Sequence, residues 1–343
     1  MADSVATPHT ASEEFAKRRR SPAQQIHHYI HGHPWVSPLV ALALSVIVFA
    51  ILAPTFRSPH NLSLVLQQAS VLAAVSAGQA LVVLSGGVDL SVGVVMVLST
   101  LVIGKLVVDA HAPGPLALLV GLVIGGAAGC VNGYFAAYLK MNPFIITLAT
   151  LSIFGAIVVL VSGGASIDAE TFGAFLNWTS SASRIGAFTV TAGMIVVVAI
   201  YLGLGYALDQ TAWGVHIYAV GNDAEAASLV GIRVARVKFS AYVVAGIIMA
   251  LAGWVLIGRI GGADPQSGTT VNLDSITAVV IGGASLTGGR GSIVGVVFGA
   301  VLVTALRNGL FLVGVDALYQ ELAVGVLIVV ALGLDQWIKL VRA

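Results

Sequence analysis

The stretch that decides the fold is LSGGVDLSVGVV, residues 84–95. Asp89 is the only Asp, Glu, Lys or Arg between Arg57 and Lys105, and it follows a glycine pair closely. A carboxylate is costly in apolar surroundings, and adjacent glycines interrupt a helix. We therefore predict a break between two apolar helices, in which the glycines end one helix and Asp89 caps the next. Lining a transport path is a second role for Asp89 that is compatible with capping.

The composition around this stretch is that of a membrane protein. Of the 343 residues, 58% are hydrophobic and 9% are charged, against about 25% charged residues in soluble domains. Apolar segments suited to membrane spans cover residues 36–53, 63–84, 90–108, 115–138, 143–161, 187–208, 239–260, 273–286, 291–312 and 318–334. Because a span needs about 20 apolar residues, we predict an all-α integral membrane protein with about ten transmembrane helices.

The distribution of basic residues predicts the orientation. With the N-terminus inside, the inside segments hold eleven Lys and Arg residues and the outside segments five, which favours cytoplasmic termini. We expect residues 1–35 to form a cytoplasmic tail and residues 36–343 to form a single membrane domain. The longest cytoplasmic connection in that domain is residues 209–238.

The sequence lacks the residues that several other classes of function require. A net charge of +1 gives no bulk attraction to nucleic acid. The sequence contains no P-loop, HExxH or CxxC motif, so we expect no cofactor and no metal in this chain. Histidines cluster in the N-terminal tail, where a metal site and a solvated tail are both interpretations. The glycine-rich stretch at 282–292 is either an anion cradle or a flexible cytoplasmic turn.

The glycine break recurs later in the chain. GGVDLSVG shares Gly86, Gly87, Asp89 and Gly93 with Gly261, Gly262, Asp264 and Gly268 of GGADPQSG. Similarly, NGYF (132–135) resembles NGLF (308–311). The members of each pair lie five predicted spans apart. If the similarity reflects an inverted repeat, the second copy has the opposite orientation in the membrane. Chance recurrence among 40 glycines is the alternative, and VVIGGASLTG (279–288) is a competing match.

Small residues also recur at helical spacing in two spans. Glycines occupy every fourth position from Gly121 to Gly133 and from Gly291 to Gly299. Small residues let backbones approach closely in lipid, so each stripe marks a helix interface. The interface is either within the chain or between two copies of it.

The cytoplasmic connection 209–238 contains a short helix signal, NDAEAASLVGI. Asn222 or Asp223 can cap this helix, Glu225 suits its first turn, and Gly231 can end it. A link between two spans does not require such a helix. We therefore interpret it as a docking element for a soluble partner, with a helix resting on lipid as the alternative.

Several long motifs together resemble one family. They are GGVDLSVG, NPFIITLATL (142–151), TAWGVHIYAVGNDAEAASLVGI (211–232), ITAVVIGGASLTGGRGSIVG (276–295) and LDQWIKL (334–340). In these motifs the chain resembles the permease subunits of bacterial ABC importers for monosaccharides, in the ribose-type branch. Within that branch, QQI (24–26), LQQAS (66–70) and ALAGWVLIGRIG (250–261) are most similar to the permeases for fructose.

This resemblance implies a division of labour in the bacterial inner membrane. Two permease subunits form the pathway, a separate cytoplasmic ATPase binds ATP and Mg, and a periplasmic sugar-binding protein delivers the substrate. ATP then drives alternating access. The coupling helix that fits the ATPase corresponds to residues Asn222, Asp223, Glu225, Ala226, Ala227 and Gly231.

A neutral sugar needs hydrogen-bonding groups along its path rather than charges. We expect the pathway or gate to include Asp89, Asn132, Phe144, Thr147 and Asn308. An ion-coupled secondary sugar transporter is the alternative, in which Asp89 or Glu321 would serve as a proton site.

Overall fold

The computed structural model describes residues 35–168, 172–327 and 329. The predicted cytoplasmic tail lies outside the described residues except for Trp35. The motif at 334–340 and the predicted cytoplasmic C-terminus also lie outside them.

Helices dominate the described part of the chain. They are α1 (Val36–Leu52), α2 (Pro59–Leu84), α3 (Val92–Val108), α4 (Gly114–Gly133), α5 (Pro143–Ser162), α6 (Gly173–Leu176), α7 (Ala192–Gln210), α8 (Ala212–Asn222), α9 (Ala224–Leu229), α10 (Val234–Ile260), α11 (Val271–Ile281), α12 (Ile293–Leu312) and α13 (Ala317–Leu327). A π-helical turn, Tyr134–Tyr138, extends α4. The strands are β1 (Ile167–Asp168), β2 (Ala182–Ile185), β3 (Phe188–Thr191) and β4 (Gly262–Ala263). Strand β1 pairs antiparallel with β4, and β2 pairs with β3 in a hairpin.

These helices confirm the prediction of an all-α membrane protein. In the described residues six helices are long and apolar enough to cross a membrane: α2, α4 with its π turn, α5, α7, α10 and α12. Helices α1, α3, α11 and α13 are apolar but shorter. Within the described residues, each predicted segment overlaps one of these helices.

Three predicted boundaries were wrong by five residues, one of them the start of the seventh segment, because α10 begins at Val234 rather than at residue 239. The sixth segment was expected to begin at residue 187, but residues 182–191 form the β2–β3 hairpin and the helix starts at Ala192. The hairpin turn uses Gly186 at a positive φ of 63°. The eighth segment was expected to reach residue 286, but α11 ends at Ile281 because Gly283 turns the chain with a φ of 85°.

The two ends of the bundle carry different features. At one end, the backbone N–H of Thr189 in the hairpin donates to Ser63 Oγ near the start of α2, at 2.9 Å. At the other end of α2, the Leu84 carbonyl accepts from Gly289 N–H at 3.0 Å, next to the start of α9. We name these the hairpin end and the α9 end.

The two glycine breaks lie at opposite ends of the bundle. The first break (residues 85–91) contacts the start of α5, where Thr147 Oγ1 donates to the Val88 carbonyl at 3.2 Å. The second break (residues 261–270) lies just beyond the other end of α5, where Ala263 pairs with Ile167. This placement agrees with an inverted repeat.

The two breaks also meet inside the bundle through repeat-equivalent glycines. A Cβ on Gly93 would lie 2.7 Å from the Gly268 carbonyl oxygen, and a Cβ on Gly268 would lie 2.8 Å from that of Gly93. In addition, Gly93 N–H donates to Asn272 Oδ1 at 2.6 Å. The first turn of α3 is therefore locked against the segment that leads into α11.

The glycine stripes are used inside the chain. A Cβ on Gly125 or Gly129 would collide with backbone atoms of Gly246 or Tyr242, so α4 packs directly on α10. In the second stripe, Gly299 packs in the same way on Ala278 of α11. Packing within the chain therefore accounts for the positions that were also open to a dimer interpretation.

Candidate functional site

The first break is organised around the buried carboxylate of Asp89, which is 5% exposed. Its Oδ1 accepts from the N–H of Ser91 at 2.7 Å and from the Ser91 hydroxyl at 2.6 Å. Ser91 occupies the N-cap position of α3 and makes no side-chain bond to the helix, so the prediction that Asp89 is itself the cap was wrong. The reason is that an Asp in this turn bonds the backbone two residues ahead, and the helix starts only after that turn.

Two neighbouring helices reach the first break. Asn132 of α4 donates from Nδ2 to Asp89 Oδ2 at 3.2 Å and to Ser91 Oγ at 2.8 Å. Thr147 of α5 is fully buried and bonds the Val88 carbonyl. The structure thus brings together three of the predicted pathway residues, whereas Phe144 lies one turn earlier on the exposed surface of α5.

Asn308 lies elsewhere, at the hairpin end of α12. Its amide forms a reciprocal pair with Asn61 of α2, with bonds of 2.9 Å and 3.1 Å. This pair borders a cavity of about 630 Å³ that is also lined by Gln68, Phe311 and Gln320. The sequence reasoning missed Asn61, because nothing local to it signals a partner 247 positions away.

Beside this cavity an ion network joins three helices. Arg307 of α12 contacts Asp274 of α11 at 2.7 Å and Glu321 of α13 at 2.6 Å. Glu321 was the second proton site of the ion-coupled alternative. In the described structure its carboxylate is instead engaged by an arginine.

The predicted docking helix is present as α9. Asp223, rather than Asn222, is its cap, since its Oδ1 accepts from Glu225 N–H at 3.0 Å and Ala226 N–H at 2.9 Å. Gly231 follows the helix with a φ of 87°. The preceding helix α8 was not predicted, because the sequence analysis assigned its residues only to the cytoplasmic connection 209–238.

The surface of α9 is divided between bundle and solvent. Ala227 is 4% exposed and packs on the bundle, so it anchors the helix and offers no contact to a partner. Leu229 and Val230 project outward with exposures of 87% and 77%. Two exposed apolar side chains in a row are suited to contact with another protein or with the membrane surface.

A glycine contact connects α9 to the first break. Gly221, near the end of α8, packs so closely on Leu84 that a Cβ would overlap the Leu84 carbonyl oxygen. The same carbonyl accepts from Gly289 N–H. The end of α2 is therefore held between α8 and the glycine-rich loop 282–292. Sequence reasoning did not single out Gly221, because one glycine among many carries no local signal.

Tyr218 adds a second link between α8 and the glycine-rich loop. Its hydroxyl donates to the Gly291 carbonyl at 3.3 Å. Burial raises the pKa of the Tyr218 phenol, and the nearby Asp209 carboxylate raises it further, so the phenol stays a neutral donor. Within the loop, Ser285 and Gly288 N–H groups bond carbonyls of the loop itself. These bonds favour a structured turn over an anion cradle.

In the part of the chain that the structure describes, no group of three or more His, Cys, Asp or Glu side chains is placed to hold a metal ion. The histidine-rich tail lies outside that part.

The arrangement is that of a multi-span membrane protein with a short exposed helix at one end, which fits the class of transport permeases. Residues 61–332 match the family described as the permease component of the branched-chain amino acid transport system, and the chain belongs to this family. No solved structure matches it.

Curated relatives cover most of the chain. It is 44% identical over 324 residues to a fructose import permease protein of Rhizobium meliloti, covering 93% of this chain and 90% of the relative. It is 37% identical over 302 residues to a ribose import permease protein of Bacillus subtilis, covering 88% and 92%. A D-allose transport system permease protein of Escherichia coli is 33% identical over 299 residues, covering 87% and 90%.

These matches confirm the resemblance to ABC importer permeases. The chain is an inner-membrane permease subunit of an ATP-driven importer and a transport component rather than an enzyme. Such a subunit works with a cytoplasmic ATPase and a periplasmic binding protein. The family gives no support to the ion-coupled alternative.

Proposed function

We propose that this chain imports a monosaccharide by alternating access, with fructose as the first candidate and ribose as the second. The observation that carries this proposal is the 44% identity to a fructose import permease over 93% of the chain. The relatives named for ribose and D-allose support the wider class of substrate.

A second permease subunit, either another copy or a sibling, completes the pathway in this proposal. The support is the surface of α5, which leaves several apolar side chains uncovered. They are Phe144, Leu148, Ile153 and Leu160. Phe144 then lines the pathway with an apolar face near the α9 end.

The partner ATPase binds ATP and Mg and receives α9. Leu229 and Val230 supply the apolar contact, because both project from the bundle. Five predicted coupling residues surround them on the exposed side: Asn222, Asp223, Glu225, Ala226 and Gly231. Ala227 fixes the helix to the bundle from the other side.

Movement of α9 reaches the first break through Gly221. Because no side chain separates Gly221 from the Leu84 carbonyl, a displacement of α8 must displace the end of α2 as well. The hydrogen-bonded cluster of Asp89, Asn132 and Thr147 acts as the gate that moves with it. Asn308 belongs to the cavity at the hairpin end, where a sugar released by the binding protein would arrive.

The substrate is tested with the full transporter in proteoliposomes. Radiolabelled fructose and ribose are supplied with the cognate binding protein, with or without ATP in the ATPase compartment. We expect ATP-dependent uptake of fructose above that of ribose. Uptake that persists without the ATPase would contradict the ATP-driven mechanism, and no uptake of either sugar would refute the proposed substrates.

The docking role of α9 is tested by Leu229→Asp. A charge in a buried contact is strongly unfavourable, so we expect the ATPase recovered by co-purification to fall at least about tenfold, an equilibrium change of about 1.4 kcal/mol. The matched control is Ile185→Asp, an exposed apolar residue at the hairpin end. Equal recovery of the ATPase with both variants would refute the docking role.

A further inference from the structure

The second break borders a cavity that none of the roles above uses. Its volume is about 360 Å³, within the range of small-molecule sites. One wall is apolar and includes Val97 of α3 and Leu151 of α5. The opposite wall is formed by the second break, with the polar side chains of Gln266 and Thr269, and by Asn272 in the first turn of α11.

This cavity lies near the middle of the membrane. Helix α11 has 11 residues, which at about 1.5 Å per residue makes it roughly 16 Å long. It runs from Val271 to the α9 end, so its first turn lies about halfway through a hydrocarbon core of about 30 Å. The second break enters from the hairpin end and reaches this depth without helical structure.

Exposure at this depth indicates what the surface faces. Gln266 and Thr269 lie in a non-helical segment at this depth, and both side chains are exposed. Irregular backbone and polar side chains are not tolerated against lipid, and they occur in membrane proteins where they line a water-filled cavity or are covered by protein. This wall therefore does not face lipid.

The chemistry of the cavity fits a neutral molecule with hydroxyl groups. The side chains around it include two amides and a hydroxyl but no Asp, Glu, Lys, Arg or His. Asn272 Oδ1 accepts a hydrogen bond from Gly93 N–H. The Nδ2 group of Asn272 is therefore the one that can donate to a ligand. The valine and leucine wall suits the C–H face of a sugar ring, whereas a charged substrate would find no counter-charge.

We propose that the second break lines the transport pathway and that Gln266, Thr269 and Asn272 hydrogen-bond the hydroxyl groups of the sugar at the midplane. This inference rests on the proposed function and identifies where in the chain the substrate is contacted. The first break then serves as the moving gate and the second as the surface along which the sugar passes.

The test uses two adjacent threonines in the complete transporter with its ATPase and binding protein. Thr269 lines the cavity, and its hydroxyl also donates to the Gln266 carbonyl. Thr270 is exposed but does not line the cavity, and its hydroxyl bonds Asp274. Each threonine therefore has one bond within the protein, and only Thr269 can also bond a ligand in the cavity. Loss of a hydrogen bond to the ligand reduces passage by about tenfold. We therefore expect Thr269→Val and Gln266→Leu to reduce fructose uptake by about that factor and Thr270→Val to leave it within about twofold. The shorter amide of Gln266→Asn should restore part of the uptake.

ATP hydrolysis separates a ligand contact from a structural role. In all four variants, hydrolysis stimulated by the loaded binding protein should stay near the wild-type level, as should ATPase co-purification. Uptake that is unchanged by Thr269→Val and Gln266→Leu, or reduced equally by Thr270→Val, would overturn the inference while wild-type transport still supports the proposed function. A wild-type transporter that moves no monosaccharide would overturn the proposed function itself.

Discussion

The two glycine breaks share a local structure. In the first, Asp89 Oδ1 accepts from the N–H of Ser91 at 2.7 Å. In the second, Asp264 Oδ1 accepts from the N–H of Gln266 at 3.0 Å. Each aspartate follows a glycine pair and bonds the residue two positions ahead, which is the turn that such a sequence favours.

Their surroundings differ. Asp89 is buried and also held by Asn132 of another helix. Asp264 is partly exposed, and its contact outside the turn is Ser166, at 3.4 Å. The same local motif is therefore buried and held by another helix at the α9 end, where it acts as an internal lock, and is open toward the hairpin end, where it forms a polar lining. The neighbouring segments cause this difference, because they determine whether the carboxylate is buried.

The largest expected difference between the breaks is the side from which each is reached. In a Cys130→Ala background, we expect Leu90→Cys to react with a membrane-impermeant thiol reagent from the cytoplasmic side and Gln266→Cys from the periplasmic side. The measurement compares intact cells with inside-out vesicles. Reaction of both cysteines from the same side would refute the inverted arrangement.

The next largest effect concerns the contact between the breaks. Because a Cβ at either glycine would press on a backbone carbonyl, Gly93→Ala and Gly268→Ala should each destabilise the purified protein by about 2 kcal/mol. Thermal unfolding in detergent measures the change. The control is Gly155→Ala, whose Cβ would meet only Val94 at 4.0 Å. If only one of the pair is destabilising, the two breaks do not support each other as equivalents.

Removing the first carboxylate should have a comparable or slightly smaller effect. Asp89→Ala leaves the Ser91 N–H and hydroxyl without their buried acceptor and removes one of the two bonds of Asn132, so we expect a loss of about 1–3 kcal/mol. Thermal unfolding and ATP-driven uptake both report on it, and uptake should fall with stability. A variant as stable as the wild type would show that the carboxylate does not lock this break.

The smallest expected effect is that of Asp264→Ala. The carboxylate is partly exposed and water can replace it in the turn, so we expect a change of less than about 0.5 kcal/mol. The comparison with Asp89→Ala in the same unfolding assay is the decisive measurement. Equal destabilisation by the two substitutions would remove the distinction between lock and lining.

Much of the fold could be predicted because the length of a span and the position of a turn depend on residues that are close together in the sequence. The apolar segments, the breaks at Gly86 and Gly261, and the docking helix capped at its start all depend on residues that are close along the chain. The hairpin at 182–191 was missed because its apolar residues resemble the start of a span. The end of α11 was missed because a short apolar run does not indicate where its glycines turn.

The candidate site was only partly predictable for the same reason. Asn132 was chosen for its amide in an apolar span, but its partnership with Asp89 joins residues 43 positions apart. Gly221, Asn61 and Gln266 were missed because their roles come from contacts with distant segments. Ala227 was assigned to the coupling surface, yet helix α9 turns it toward the bundle.

By itself, the sequence determined that this protein lies in a membrane and where its helices break, and it predicted the short helix that we propose docks a soluble partner. These features depend on hydrophobicity and on backbone preferences over a few residues. The tertiary structure decided which aspartate is buried, which glycine packs against the end of α2 and which polar residues line a cavity. Those properties arise only when segments far apart in the chain come into contact, as Gly93 and Asn272 do.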